Sequence, residues 1–325
     1  FFERLIDLEK ISEAKAILSQ IAIEKKNEHL IKLLYLQGIL KKTQKDFNEA
    51  ITIFQKCLKI DQKFVNAYIS LASIYKNQNN FNECISLLNK AIKIDSKNSK
   101  AMLELGIIYS HLGQVKKGIA LLKDALEIDT FNHEAKFNLA QMQIYNKDLK
   151  EGWSNFQSRW LYHNFKSPPF KSSKKQTTNL DEFANVLIWP EQGIGDQIMY
   201  GSMINQFSKL CNKLTVRLDE RLIKLFERKN PDVKFIGKKD NINDTEFDHH
   251  MSLVDLGKFF RTNINHFETA KFPYIDVDNK LSINVRDNYY NPKKIIVGIS
   301  WTSKNEDMGE DKSVHLKDLT PILNL

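Results

Sequence analysis

Apolar positions follow two rhythms along this chain. Up to about residue 160 they recur at helical spacing, and the whole pattern repeats. Leu58-Lys-Ile-Asp61, Ile92-Lys-Ile-Asp95 and Leu126-Glu-Ile-Asp129 close three segments, each 34 residues from the next. The same step links the small residues Gly38, Ala72, Gly106 and Ala140, and again Ala16, Ala50, Cys84, Gly118 and Gly152. It also links the large apolar residues Phe54, Leu88, Leu122 and Phe156. Small residues let two helices cross closely while large ones fill the groove beside them, so this half predicts stacked helix pairs.

A 34-residue period of that composition is the tetratricopeptide pattern. It assigns residues 1–160 to an α solenoid, with 3–30 as an incomplete leading repeat. Such a solenoid presents a surface to a protein or peptide partner. The proline that often closes a repeat is missing, with Gln62, Ser96 and Thr130 in its place. Cys57 and Cys84 stand where other repeats carry alanine or glycine and read as packing residues. After the fourth repeat, Gly152-Trp153 and Phe156-Gln-Ser-Arg-Trp160 read on their own as an aromatic cap on the last helix. Residues 161–184, with Ser167-Pro-Pro169 and Lys174-Lys175, read as a linker.

The second rhythm starts at Asn185-Val-Leu-Ile-Trp189, a short apolar strand. Pro190-Glu-Gln-Gly-Ile-Gly-Asp196 follows as a turn, and Gln197 to Leu210 reads as a helix. Strand, glycine-rich turn and helix in that order open a doubly wound α/β domain, whose ligands bind beyond the carboxyl ends of the strands. Gly193 and Gly195 give such a turn freedom and leave room for a ligand; the alternative is a tight turn with Asp196 as helix N-cap. Further strands are predicted at 214–217, 232–236 and 247–251, with helices at 220–229 and 253–260. Asn291-Pro292 breaks the chain. Lys294 to Trp301 then reads as a strand opening a new unit, with a polar loop to Ser313 and a helix from about Leu316. One strand and one helix cannot bury both faces of a sheet, so this second lobe is expected to continue past Leu325.

Composition narrows the partners. Of 325 residues, 42% are hydrophobic and 27% charged, an ordinary globular balance. The net charge is +8, yet residues 186–325 hold equal numbers of basic and acidic side chains. The surplus belongs to the solenoid and linker. Without interleaved aromatic and basic residues it argues against nucleic acid. No run approaches the ~18 apolar residues of a membrane span. Three separated cysteines, with no close pair, exclude a disulfide framework and a zinc ribbon, so a reducing, cytoplasmic setting is expected. Phe1 in place of Met marks a processed or cut N-terminus.

From about residue 135 onward the chain resembles bacterial tetratricopeptide proteins fused to a heptosyltransferase-like glycosyltransferase domain. The resemblance rests on Gly152-Trp153 with Arg159-Trp160, on Trp189-Pro-Glu-Gln-Gly-Ile-Gly-Asp196, on Phe272-Pro-Tyr274, and on Val297-Gly-Ile-Ser-Trp301 with Lys312-Ser313. It implies a GT-B architecture of two Rossmann-like lobes: residues 185–291 as the acceptor-binding lobe and 292–325 as the start of the nucleotide-sugar-binding lobe. It implies Asp196 as catalytic base, taking the proton of an acceptor hydroxyl as it attacks the anomeric carbon. Glu191, Gln192, Gly193, Gly195 and His250 are the acceptor-side candidates. Ser300, Thr302, Ser303, Lys312 and Ser313 are those for the nucleotide-sugar, whose departing diphosphate needs positive charge or N–H donors. Glu191 and Gln192 serve equally well as turn-shaping residues, and His250 as a packed histidine. Lys238-Lys239 reads as a solvated loop. No metal or other cofactor is called for, the nucleotide-sugar being substrate.

Two functions therefore compete. One is a glycosyltransferase moving sugar to a glycan or protein acceptor, with the repeats holding the acceptor. The other is a non-catalytic interaction scaffold with a vestigial α/β domain.

Overall fold

The computed structural model describes residues 30–162, 170–176, 184–191, 193–270, 273–276 and 278–289. Residues 1–274 form one compact unit and 275–325 a second. The described part of the second unit centres on one helix, Asn279–Tyr289.

Among the described residues eight helices make the first half: α1 (Leu30–Thr43), α2 (Phe47–Ile60), α3 (Val65–Asn77), α4 (Phe81–Ile94), α5 (Ser99–His111), α6 (Val115–Ile128), α7 (His133–Tyr145) and α8 (Leu149–Phe156). They pack as the pairs α1/α2, α3/α4, α5/α6 and α7/α8, the solenoid expected from the 34-residue period. First helices of successive pairs also touch one another, which places them on the inner wall of the stack. The small residues meet where the helices of a pair cross. A Cβ on Gly118 would lie 2.8 Å from the carbonyl oxygen of Gly106, and one on Gly152 would lie 3.3 Å from that of Ala140. In the α3/α4 pair the same contact is made by a thiol: Cys84 Sγ donates to Ala72 O at 3.3 Å. Burial pushes the Cys57 and Cys84 thiols up to about 11, which fits two packing residues.

Each pair turns at a left-handed residue, and these too keep the repeat step: Lys45, Asn79, Gly113 and Lys147. The following N–H reaches back five residues, as in Asp148 N to Gln143 O at 2.8 Å, closing a Schellman motif. Only Gly113 occupies this conformation without a steric cost. Between pairs, where the closing proline is missing, the preceding aspartate stops the helix. Asp61, Asp95 and Asp129 each accept from the N–H two residues on, at 2.8, 3.1 and 3.2 Å, so an Asx turn stops the helix.

The α/β part is a five-stranded parallel sheet: β1 (Lys175–Gln176), β2 (Asn185–Trp189), β3 (Lys213–Arg217), β4 (Lys234–Ile236) and β5 (His249–Ser252), in spatial order β1-β5-β2-β3-β4. The order reverses at β2, with β3 and β4 on one side and β5 and β1 on the other. Helices α9 (Ile194–Gly201) and α10 (Ile204–Ser208) follow β2, and α11 (Glu220–Glu227) follows β3. A 3-10 turn (Leu253–Leu256), α12 (Gly257–Phe260) and α13 (Asn265–Glu268) follow β5.

Three details differ from the sequence reading. The single helix expected from Gln197 to Leu210 begins earlier, at Ile194, and breaks at Ser202-Met203, just after Gly201 presses on the Phe226 ring. The expected linker holds β1, anchored where Ser173 N and Oγ donate to Asp244 Oδ2 at 2.6 and 2.7 Å. The aromatic end of the solenoid is no cap. Trp153 packs on Gly257 and donates from Nε1 to Arg261 O at 2.9 Å, while Phe156 and Val254 share one core cluster. The last repeat is thus bonded into the α/β part. The leading repeat with Ala16, the strand at 294–301 and the helix from Leu316 lie outside the described residues.

The left-handed turns give a direct test. Lys147→Gly removes steric strain and is expected to stabilise the chain, and Gly113→Ala to destabilise it, each by about 1 kcal/mol. Urea unfolding of both variants reads the two opposite shifts.

Candidate functional site

In a parallel sheet whose strand order reverses, the crevice beyond the carboxyl ends at the reversal is the ordinary ligand position. Here that position lies beyond Trp189 of β2 and Ser252 of β5, which pair in register. The solenoid supplies its central residue. Arg159, in the 3-10 turn Gln157–Leu161, is fully buried. Its Nε and Nη2 donate to Glu191 Oε1 and Oε2 at 3.0 and 2.9 Å, and Nη2 also donates to Asp255 Oδ1 at 2.6 Å. Nη1 donates to Phe156 O at 3.1 Å. The guanidinium lies 4.5 Å from the Phe156 ring centre and 4.1 Å from that of Trp160.

The Glu191 side chain is 3% exposed and that of Asp255 0%. Two carboxylates therefore share one buried cation. Gln157 Nε2 adds a bond to Asp255 Oδ1 at 3.0 Å, while Asp255 Oδ2 meets no partner among the described residues. Burial raises the Asp255 carboxyl above its ordinary range, against the pull of Arg159. Beside the cluster, burial and then the Asp196 and Glu191 carboxylates push the Tyr200 hydroxyl up to about 12, so it stays protonated.

The sequence candidates separate on this frame. Gly193 is the N-cap of α9, which puts Asp196 in its first turn and not at the cap. Neither Gly193 nor Gly195 has positive φ, so backbone freedom does not explain them. What they do is leave space. A Cβ on Gly195 would meet nothing within 4 Å, and one on Gly193 only Asp196 Oδ2 at 3.6 Å. Asp196 is half-buried beside this open strip. Glu191 is held by Arg159, as a residue that fixes the turn. His250 is buried within β5: Trp189 Nε1 donates to its Nδ1 at 3.2 Å, and its Nε2 lies 3.2 Å from Lys174 O. Indole N–H can only donate and a carbonyl can only accept, so the imidazole is the neutral Nε2–H tautomer. Burial lowers its pKa, and its ring packs against Phe170. This is the packed alternative. Gln192, Phe272, Ser300, Thr302, Ser303, Lys312 and Ser313 lie outside the described residues.

Sequence reasoning gave no role to Arg159 and did not single out Asp255. The available signal was one acid within the apolar run Met251-Ser-Leu-Val-Asp-Leu256, since an acid buried in such a run needs a partner. Among the described residues no three His, Cys, Asp or Glu side chains group to hold a metal, and no helix is long and apolar enough to cross a membrane.

Removing one partner of a buried ion pair strands the other. Arg159→Ala is expected to cost about 3–5 kcal/mol. Asp255→Asn keeps an acceptor at Oδ1 and removes one of two competing charges, so it is expected to cost clearly less. Urea unfolding that ranks the pair the other way would refute this account of the cluster.

Comparison with known proteins places the repeats. The family model described as anaphase-promoting complex, cyclosome, subunit 3 matches residues 43–125. No curated protein matches the chain. Among solved structures, MamA from Desulfovibrio magneticus RS-1 is 22% identical over 51% of this chain and 93% of its own, with TM-score 0.39. A thermophilic tetratricopeptide-repeat protein of Thermus thermophilus is 18% identical over 50% of this chain and 88% of its own, with TM-score 0.43. The Cut9–Hcn1 hetero-tetramer of the anaphase-promoting complex is 17% identical over 49% of this chain and 30% of the matched chain, with TM-score 0.44. Each of these likenesses takes in about half of the chain described above.

Proposed function

We propose that this chain is a protein-interaction module, with the tetratricopeptide solenoid as its binding element. The observation that carries the reading is the repeated helix-pair contact, which extends one surface over four pairs. The basic surplus of the first half favours an acidic peptide or protein segment as the partner. Lys32 and Lys100 are exposed on the first helices of their pairs, at the same position of the repeat. They are the residues through which charge would be read.

The test is titration of the chain with a panel of acidic, neutral and basic peptides. Acidic peptides are expected to bind best, and the double variant Lys32→Glu, Lys100→Glu to weaken them about tenfold or more. A preference for basic peptides, or indifference to the double reversal, would refute the reading.

A second reading concerns the α/β part, and one observation favours it. Asp196 stands beside the open strip over Gly193 and Gly195, near the strand-order reversal where such sheets bind ligands. On this reading the chain contributes the acceptor lobe of a heptosyltransferase-like GT-B glycosyltransferase. Asp196 would take the acceptor proton, and the segment holding Ser300, Thr302, Ser303, Lys312 and Ser313 would hold the nucleotide-sugar. Assay of the full-length protein against a panel of nucleotide-sugars is expected to detect transfer, lowered about 100-fold or more by Asp196→Asn. No transfer from any donor leaves the interaction module as the function.

A further inference from the structure

At the end of α9 away from Gly193 lies a cavity of about 240 Å³ that neither reading uses. Its wall is formed by the C-terminal end of α9, by α10, by the residues just after α11, and by Arg261, Thr269, Ala270, Pro273 and Tyr274. Among the described residues three cations line it, Lys209, Lys229 and Arg261, and no acidic side chain does.

Arg261 makes the case. Its residue is only 6% exposed. Its Nη1 donates to Gln206 Oε1 at 3.1 Å and to Phe260 O at 2.7 Å, both neutral acceptors. Among the described residues no carboxylate pairs with it. Arg159 has two carboxylates in the same fold, so the contrast is internal to the protein. A buried guanidinium without a counter-charge is costly, and burial lowers its pKa accordingly. An anion in the cavity would supply the missing charge.

A second observation defines what the anion is attached to. Asn230 lines the same cavity and is 4% exposed. Its Nδ2 donates to Phe226 O at 2.8 Å, but its Oδ1 has no hydrogen-bond partner among the described residues. That oxygen needs a donor, which the dianionic phosphate of a monoester does not offer and a ligand hydroxyl does. The hydroxyls of Ser202 and Thr269 on the wall extend the same polar chemistry. We propose that this cavity binds a small hydroxylated phosphomonoester, its phosphate held by Arg261 and Lys209 and a hydroxyl held by Asn230. The fork of Arg261 suits two phosphate oxygens.

The test is calorimetric titration of the chain with glucose 6-phosphate, inorganic phosphate and glucose, each to about 10 mM. Glucose 6-phosphate is expected to bind saturably and more tightly than inorganic phosphate, and glucose not to bind. Arg261→Gln is expected to abolish binding. Lys209→Glu alters an exposed residue just after α10, so it tests the site even if the Arg261 variant does not fold, and is expected to weaken binding about tenfold. No binding of glucose 6-phosphate, equal binding of all three probes, or affinity unchanged by Lys209→Glu would overturn the proposal.

Discussion

The guanidinium of Arg159 is the point on which the two halves of this protein depend. It comes from the end of a helical solenoid, yet both its acidic partners belong to the sheet: Glu191 just past β2 and Asp255 just past β5. Bringing three ionisable groups out of water is expensive, and their attraction offsets that cost only when the geometry is good. Here it is good. Glu191 is met by two N–H groups, Asp255 at 2.6 Å, and the flat face of the cation lies against Phe156 and Trp160. The result is more a device for specificity than for stability. The turn after β2 and the turn after β5 can close in this arrangement only if the solenoid's last turn stands between them. Trp153, seated on Gly257 and bonded to Arg261 O, gives the same junction its apolar part.

Seen from that junction, the solenoid needs to end rigidly, and its local chemistry provides for it. Each repeat turns within its pair through a left-handed residue, and the first three pairs are left through an aspartate whose side chain bonds the backbone two residues on. Three of the four left-handed positions are not glycine. Tertiary packing of the buried rows on either side holds those residues against their own preference, since the Schellman bonds and the apolar contacts outweigh about 1–2 kcal/mol of steric cost.

How far the sequence shows all this follows from the range of each interaction. The apolar rows at 54, 88, 122 and 156 were legible because repetition amplifies a helical pattern. The strand, turn and helix from Asn185 were legible because they are contiguous. The left-handed turn row escaped notice because Lys, Asn and Gly share a backbone conformation there and not a side-chain chemistry. The Arg159 cluster was hidden for a different reason. Its members lie 32 and 96 residues apart and in elements of different type, so no local pattern joins them. The role of His250 turned on Trp189 and Lys174, contacts that exist only once β5 is placed beside β1 and β2.

Net charge illustrates the same limit. Residues 186–325 carry balanced charge, which on composition alone suggests a part of the chain without electrostatic character. The structure distributes that balance unevenly. Beyond the carboxyl ends of the strands, two acids share an arginine borrowed from the solenoid. At the far end of α9, Arg261 is buried with no acid paired to it among the described residues, beside two lysines. Arg217 is also without a paired acid: its Nε and Nη2 donate to the backbone carbonyls of Gly237 and Lys238, and its Nη1 meets no partner among the described residues. Of the two buried arginines without an acid, Arg261 is the one that lines the cavity beside α9. A sum over residues averages these cases away. Burial restores the difference, because the energy of a charge depends on what lies within a few ångströms of it and not on the total.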